Sequence, residues 1–167
     1  MNVLLHDLSA SDVSQYLSIS DPSSYQIVGP TQKAPVKCLG CFGCWIKTPG
    51  ECVIKDGFNH MGEYLGNCDT FTIITQSRYG EFSCFTKNIL DRSISTVHPY
   101  FSKRNGEIHH KLRYNNHPKF QVICYSSDLT TEEKDAFEKR IKAASINLGC
   151  SSSSVTFLNG LHETISL

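Results

Sequence analysis

Apolar residues along this chain gather in short continuous runs separated by stretches with helical spacing. Val3-Leu4-Leu5 is a run of the kind that forms a buried strand, and Tyr25-Gln26-Ile27-Val28 is a second, closed by Gly29-Pro30. Thr70-Phe71-Thr72-Ile73-Ile74-Thr75 is β-branched at every position but Phe71 and gives the clearest strand signal. Phe120 to Tyr125 and Val155 to Leu158 are further strands. Between them, Ser9 to Leu17 predicts a short helix with Val13, Tyr16 and Leu17 on one face. Gly57 to Leu65 predicts another, with Met61 and Leu65 four apart, and Phe82 to Thr96 a third through Phe85, Ile89 and Leu90. Asp128 to Glu133 offers caps and first-turn carboxylates to a fourth, which carries Phe137, Ile141, Ala144 and Leu148 on one face and ends at Gly149. Strands that alternate with helices predict an α/β domain with a parallel sheet covered on both faces.

Two stretches escape this pattern. Ser151 to Ser154 reads as a connector. Residues 98–118, from His98 to Pro118, are basic, aromatic and histidine-rich without apolar periodicity. They read as a long loop or dimer arm, because unstructured loops of that length in a compact domain usually serve as lids, binding loops or subunit contacts. The chain of 167 residues suits a single domain spanning 1–167. With 16 basic and 16 acidic residues it lacks the basic surplus of a nucleic-acid binder. No apolar run is long enough to span a bilayer, and the first residues have no basic signal-peptide region, so the expected location is cytoplasmic.

That compartment changes the reading of the 8 cysteines. Where thiols stay reduced, dense cysteines point to metal binding or redox chemistry before structural disulfides. Cys38, Cys41, Cys44 and Cys52 form a C-x2-C-x2-C-x7-C array able to gather four sulfurs in a small volume. Tight thiolate runs with a more distant fourth ligand are shared with iron–sulfur cluster sites, so these four are candidate ligands of a [4Fe–4S] cluster. A structural turn without metal is the alternative. Cys68, Cys84, Cys124 and Cys150 stand singly and are expected to be small buried hydrophobes.

The segment Cys38 to Asp56 resembles the cysteine segment of flavodoxin-like NAD(P)H-dependent FMN reductases and of their iron–sulfur flavoprotein relatives. A second match is Gln76-Ser77-Arg78-Tyr79-Gly80-Glu81-Phe82-Ser83 with Lys87-Asn88-Ile89-Leu90-Asp91-Arg92, which is similar to that family's S-P-x-Y-x-G-x-x-S loop and following helix. The two cover the middle third of the chain. The resemblance implies a flavodoxin-like three-layer sandwich with parallel sheet order 2-1-3-4-5, FMN at the carboxyl strand edges where that order switches, NAD(P)H and an electron acceptor as partners, and a homodimer.

It also implies roles for particular residues. Gln76, Ser77, Arg78, Tyr79 and Gly80 would wrap the isoalloxazine edge, with Tyr79 stacking on the ring and Gly80 permitting close approach. Arg78 stands where the family commonly has an apolar residue, and a cation there would favour reduced flavin. In the first βα loop, Ser9, Ser11 and Ser14 keep a hydroxyl spacing like that of flavodoxins around the phosphate. The family's glycine and arginine are missing there, and Asp7 and Asp12 carry the wrong charge for a phosphate. Ser9 or Ser11 serves equally as a helix cap. Phe42 and Trp45 could cover a flavin face or pack the loop.

The function implied is an FMN-dependent NAD(P)H oxidoreductase of the flavin or quinone reductase type. No side chain need act as nucleophile or base, and the sequence carries no hydrolytic triad pattern. Two alternatives belong to other classes. One is an iron–sulfur electron-transfer flavoprotein; the other is a non-catalytic flavodoxin-like relative that has lost FMN.

Overall fold

The computed structural model describes residues 1–104 and 106–167; Asn105, within the expected long loop, lies outside them. Strands β1 (Asn2–His6), β3 (Tyr25–Val28), β4 (Thr70–Arg78), β8 (Lys119–Tyr125) and β9 (Ser152–Leu158) form the central sheet. Their order is β3-β1-β4-β8-β9, and every neighbouring pair is parallel. Counted along the five, this is the 2-1-3-4-5 arrangement that the sequence resemblance implies.

Period-two alternation sends successive strand residues to opposite faces. Val3, Leu5, Phe71, Ile73, Phe120 and Val122 point to one face and pack with Met61, Leu65, Ile89, Phe137 and Ile141. Those partners lie on α3 (Met61–Gly66), α4 (Cys84–Arg92) and α5 (Thr131–Leu148). Leu4 and Ile74 point to the other face, against Leu8, Val13, Leu17 and Ile165. That face is covered by α1 (Ala10–Tyr16) and by the pairing of β2 (Leu17–Ser18) with β10 (Ile165–Ser166).

The helix expected from Asp128 onward runs as α5. Thr130 accepts from the Glu133 amide while Glu133 reaches back to the cap amide, and Gly149 closes it at φ 71.

Three expectations require correction. The helix expected over Phe82–Thr96 is divided: β5 (Glu81–Phe82) pairs antiparallel with β4, α4 follows, and a 3-10 turn spans Ser93–Thr96. Ser152 to Ser154 are not a connector but the first half of β9, in register with Lys119, Phe120 and Gln121. As the sheet's last strand, β9 buries little at those positions, which explains their polarity. The expected long loop over 98–118 instead contains an antiparallel hairpin, β6 (Val97–Arg104) and β7 (Glu107–Leu112), with a register shift between Val97 and Phe101. Val97 is buried, and the half-buried positions are His98, Pro99, Ser102, Arg104, His109, His110 and Leu112, so mostly polar residues line the inner side and little apolar periodicity marks it. Arg104 donates to the Ile146 carbonyl at 2.8 Å, which ties the hairpin to the carboxyl end of α5.

Candidate functional site

At the carboxyl edge of the sheet, Asp7 fastens three strands together. Its carboxylate accepts from the Thr75 hydroxyl (2.9 Å), the Gln76 amide (2.9 Å) and the Tyr125 hydroxyl (2.8 Å). The Tyr125 phenol is pushed far up, first by burial and then by the Asp7 charge. Asp7 therefore turns its charge into the sheet edge, where β4 and β8 donors satisfy it.

The three serines of the first loop bond within α1. Ser9 accepts from the Asp12 amide at 3.1 Å, and the Asp12 carboxylate accepts from the Ser9 amide at 3.1 Å and the Ser9 hydroxyl at 2.6 Å. This is a closed capping box. Ser11 shares a hydrogen bond with Ser9 at 2.8 Å, and Ser14 donates back to the Ser11 carbonyl at 2.9 Å. Asp12 thus holds, from inside the chain, the position at the helix start that an anion would take.

The segment from Gln76 to Gly80 is an extension of β4 that folds back on itself. Ser77 pairs with Phe82 and Arg78 with Glu81, leaving Tyr79 and Gly80 as the two turn residues. Both have positive φ, 56 and 69, the signature of a type I′ hairpin turn. Gly80 also lies against α5: a Cβ there would stand 2.7 Å from the Glu133 carbonyl oxygen. Tyr79 is 88% exposed, and the buried Ser77 hydroxyl donates to the Glu81 carbonyl at 3.0 Å.

Gln76 to Tyr79 and the β8–α5 loop, Ser126 to Leu129 with Glu133, enclose a cleft of about 340 Å³. A volume near 300 Å³ is the lower end of what small-molecule sites offer. Tyr79 also borders a larger groove of about 720 Å³ between α4 and α5, floored by Phe82, Leu90 and Phe120.

The four cysteines of the array share a separate cavity of about 40 Å³ with Arg92 and Ile94, and no residue is common to this cavity and the Gln76–Tyr79 cleft. Cys38 and Cys41 are exposed; Cys44 and Cys52 are buried. Cys44 lies in α2 (Gly43–Ile46), a helix turn that sequence periodicity did not reveal and that starts from Phe42 at φ 54. Burial, and then the neighbouring Cys52 thiol, push the Cys44 thiol up. Among the described residues, no three His, Cys, Asp or Glu side chains are placed to hold a metal ion. Phe42 stacks on Trp45 at 5.1 Å, and Trp45 meets His110 of the hairpin at 5.1 Å while donating to the Ile94 carbonyl. These aromatics fasten the cysteine segment to the hairpin.

Sequence reasoning missed the buried anchor of this segment. The Arg92 side chain has no exposure and donates to both oxygens of Asp56, at 2.5 and 2.8 Å, and to the carbonyls of Val36 and Ile54. Burial alone would raise the Asp56 carboxyl, but hydrogen bonds from Arg92 and from the Val36 and Phe58 amides outweigh it and hold it at about 2. The D-R pair ending the second motif was the available signal. Of the four singly placed cysteines, Cys84 is exposed rather than buried, as the first residue of α4.

No protein-family model matches the chain, and no curated protein matches it. Solved structures do. A NAD(P)H:quinone oxidoreductase from Methanothermobacter marburgensis superposes with TM-score 0.54 at 12% identity, over 97% of this chain and 88% of that one. An FMN-dependent NADH-azoreductase from Bacillus anthracis str. Ames Ancestor, solved in complex with FMN, gives 0.52 at 15% identity, over 94% and 86%. The shared property is the fold. It is a flavodoxin-like α/β sheet. No helix among the described residues is long and apolar enough to cross a membrane.

Proposed function

We propose that this protein is an FMN-dependent NAD(P)H oxidoreductase, with the flavin ring in the cleft between the β4–β5 turn and the β8–α5 loop. The observation that carries the reading is that cleft, at the carboxyl edge of a 2-1-3-4-5 sheet, the edge on which open α/β sheets bind their ligands; it opens between β4 and β8, one strand from the β1–β4 switch point. Both structural relatives are named for NAD(P)H oxidation, one with quinone and one as an FMN-dependent azoreductase.

The residues fit the two ends of FMN unequally. For the ring, the exposed Tyr79 supplies a stacking face, Arg78 a cation, and Gln76 a polar edge. For the phosphate, the loop of Ser9, Ser11 and Ser14 has its hydroxyls engaged, and Asp12 must be displaced before a dianion enters. Bound flavin would supply hydride acceptance from NAD(P)H and onward delivery of electrons to a quinone or similar acceptor. The chain's part is to orient the ring, keep water from its buried face and set its potential through Arg78.

For a [4Fe–4S] cluster on Cys38, Cys41, Cys44 and Cys52 the fit is poor. Two thiols face solvent and two are buried, and among the described residues no three of them are placed to hold a metal ion. No electron step is routed through one.

A homodimer accords with the hairpin, whose Tyr100, Phe101 and Ile108 are 68–76% exposed. A non-catalytic relative is the second reading, favoured by the self-capped first loop. The two are separated by adding FMN to the purified protein and following NADH and NADPH oxidation with a quinone or an azo dye. Turnover above free FMN supports the reductase, and its absence supports the second reading.

A further inference from the structure

The cysteine array remains unused by the flavin reading, and its geometry has its own chemistry. Burial divides the four thiols into an exposed pair, Cys38 and Cys41, and a buried pair, Cys44 and Cys52, around one small cavity. A Cβ on Gly43 would stand 2.6 Å from a Val53 side-chain methyl, so the chain at Gly43 packs directly on Val53, and their neighbours Cys44 and Cys52 line the same cavity. The buried guanidinium of Arg92 lines this cavity together with Cys52. The thiolate is the attacking species in disulfide exchange, and neighbouring cations favour that form.

We propose that this pocket is a thiol–disulfide exchange site, in which Cys44 and Cys52 close a reversible disulfide and the exposed Cys41 is the point of contact with the oxidant. The oxidant is a low-molecular-weight disulfide such as oxidised glutathione. The Cys41 thiolate attacks one of its sulfurs, forming a mixed disulfide and expelling one small thiol. Cys44 then attacks the Cys41 sulfur, giving a Cys41–Cys44 disulfide across the C-x2-C spacing and expelling the second. Cys52, held beside Arg92, attacks the Cys44 sulfur and returns Cys41 as a free thiol. In sum, Cys44 and Cys52 give up two electrons and two protons, and the small disulfide leaves as two thiols. The site stands independently of flavin, so its test and the flavin test fail separately.

The array offers a clean readout, because Lys37, Lys47 and Lys55 place Cys38, Cys41 and Cys44 on one tryptic peptide (38–47) and Cys52 on the next (48–55). The full chain is reduced, freed of reductant, incubated anaerobically with oxidised glutathione, alkylated and mapped by mass spectrometry. The expected product has lost two hydrogens and joins peptides 38–47 and 48–55 through Cys44 and Cys52, with Cys38 and Cys41 alkylated. Cys41→Ser is expected to slow the reaction about tenfold and reach the same product. Cys44→Ser is expected to retain glutathione on Cys41, with circular dichroism reporting that the variant is folded. A Cys38–Cys41 product confined to peptide 38–47, or four alkylated thiols after incubation, overturns the proposal. So does uptake of four irons with visible absorbance when the reduced protein receives ferrous iron and sulfide.

Discussion

Gly80 shows why a residue can be right in type and different in role. The family resemblance gives it close approach to a flavin, whereas the structure backs it against the Glu133 carbonyl with positive φ. Gly80→Ala is therefore expected to destabilise the fold by about 1–3 kcal/mol in urea titration, before any effect on flavin. Tyr79→Ala, at an exposed turn position, leaves stability within about 0.5 kcal/mol and weakens flavin binding by about 1 kcal/mol, measured by fluorescence titration. Asp12 belongs to the same scale. Its carboxylate fills the start of α1, so Asp12→Asn is expected to strengthen FMN binding about tenfold while riboflavin, without a phosphate, changes little. Equal gains for both flavins would remove the phosphate from this loop.

Among the elements, the Arg92–Asp56 pair joins α4 to the cysteine segment and sets an acid limit on stability. The Asp56 carboxyl titrates at about 2 in the folded chain against an ordinary 3.8. A depressed carboxyl contributes stability that is present above the unfolded value and lost as pH falls through the folded one. The loss, on the order of 2 kcal/mol, falls between those two pH values. Asp56→Asn leaves Arg92 buried without a counter-charge and is expected to cost about 3–5 kcal/mol and to remove this acid limb from the stability profile. An unchanged midpoint of chemical unfolding would contradict the role assigned to the pair.

How far the sequence carries also differs by element. The five central strands, α5 with its Thr130 cap and Gly149 stop, and the 2-1-3-4-5 order follow from β-branched runs, helical spacing, capping chemistry and the family likeness. The hairpin β6–β7 escapes the pattern because most of its half-buried positions are His, Ser and Arg, with apolar Val97 and Leu112 only at its ends, and the first half of β9 because its residues are serines on the last strand of the sheet. The cysteine segment was visible as chemistry but not as geometry. Spacing alone does not tell which sulfurs face solvent, nor that Arg92 lies beneath them.

At the scale of the whole molecule, a sheet built in this order brings the β4 and β8 loops together around one cleft and leaves the cysteine pocket apart from it, with the turn end of the hairpin tied to the carboxyl end of α5. The exposed Tyr100, Phe101 and Ile108 are expected to be covered by a second copy. Phe101→Ser with Ile108→Ser should shift sedimentation from dimer to monomer without loss of secondary structure. A wild-type chain that sediments as a monomer at high concentration would discard that arrangement.

The flavin cleft is tested most directly by titrating the protein into FMN and, in parallel, riboflavin, and following flavin fluorescence. Because the ring half of the site is open and the phosphate half is closed by Asp12, both flavins are expected to be quenched with dissociation constants within about threefold of each other. No quenching of either flavin would contradict the placement of the ring between the β4–β5 turn and the β8–α5 loop.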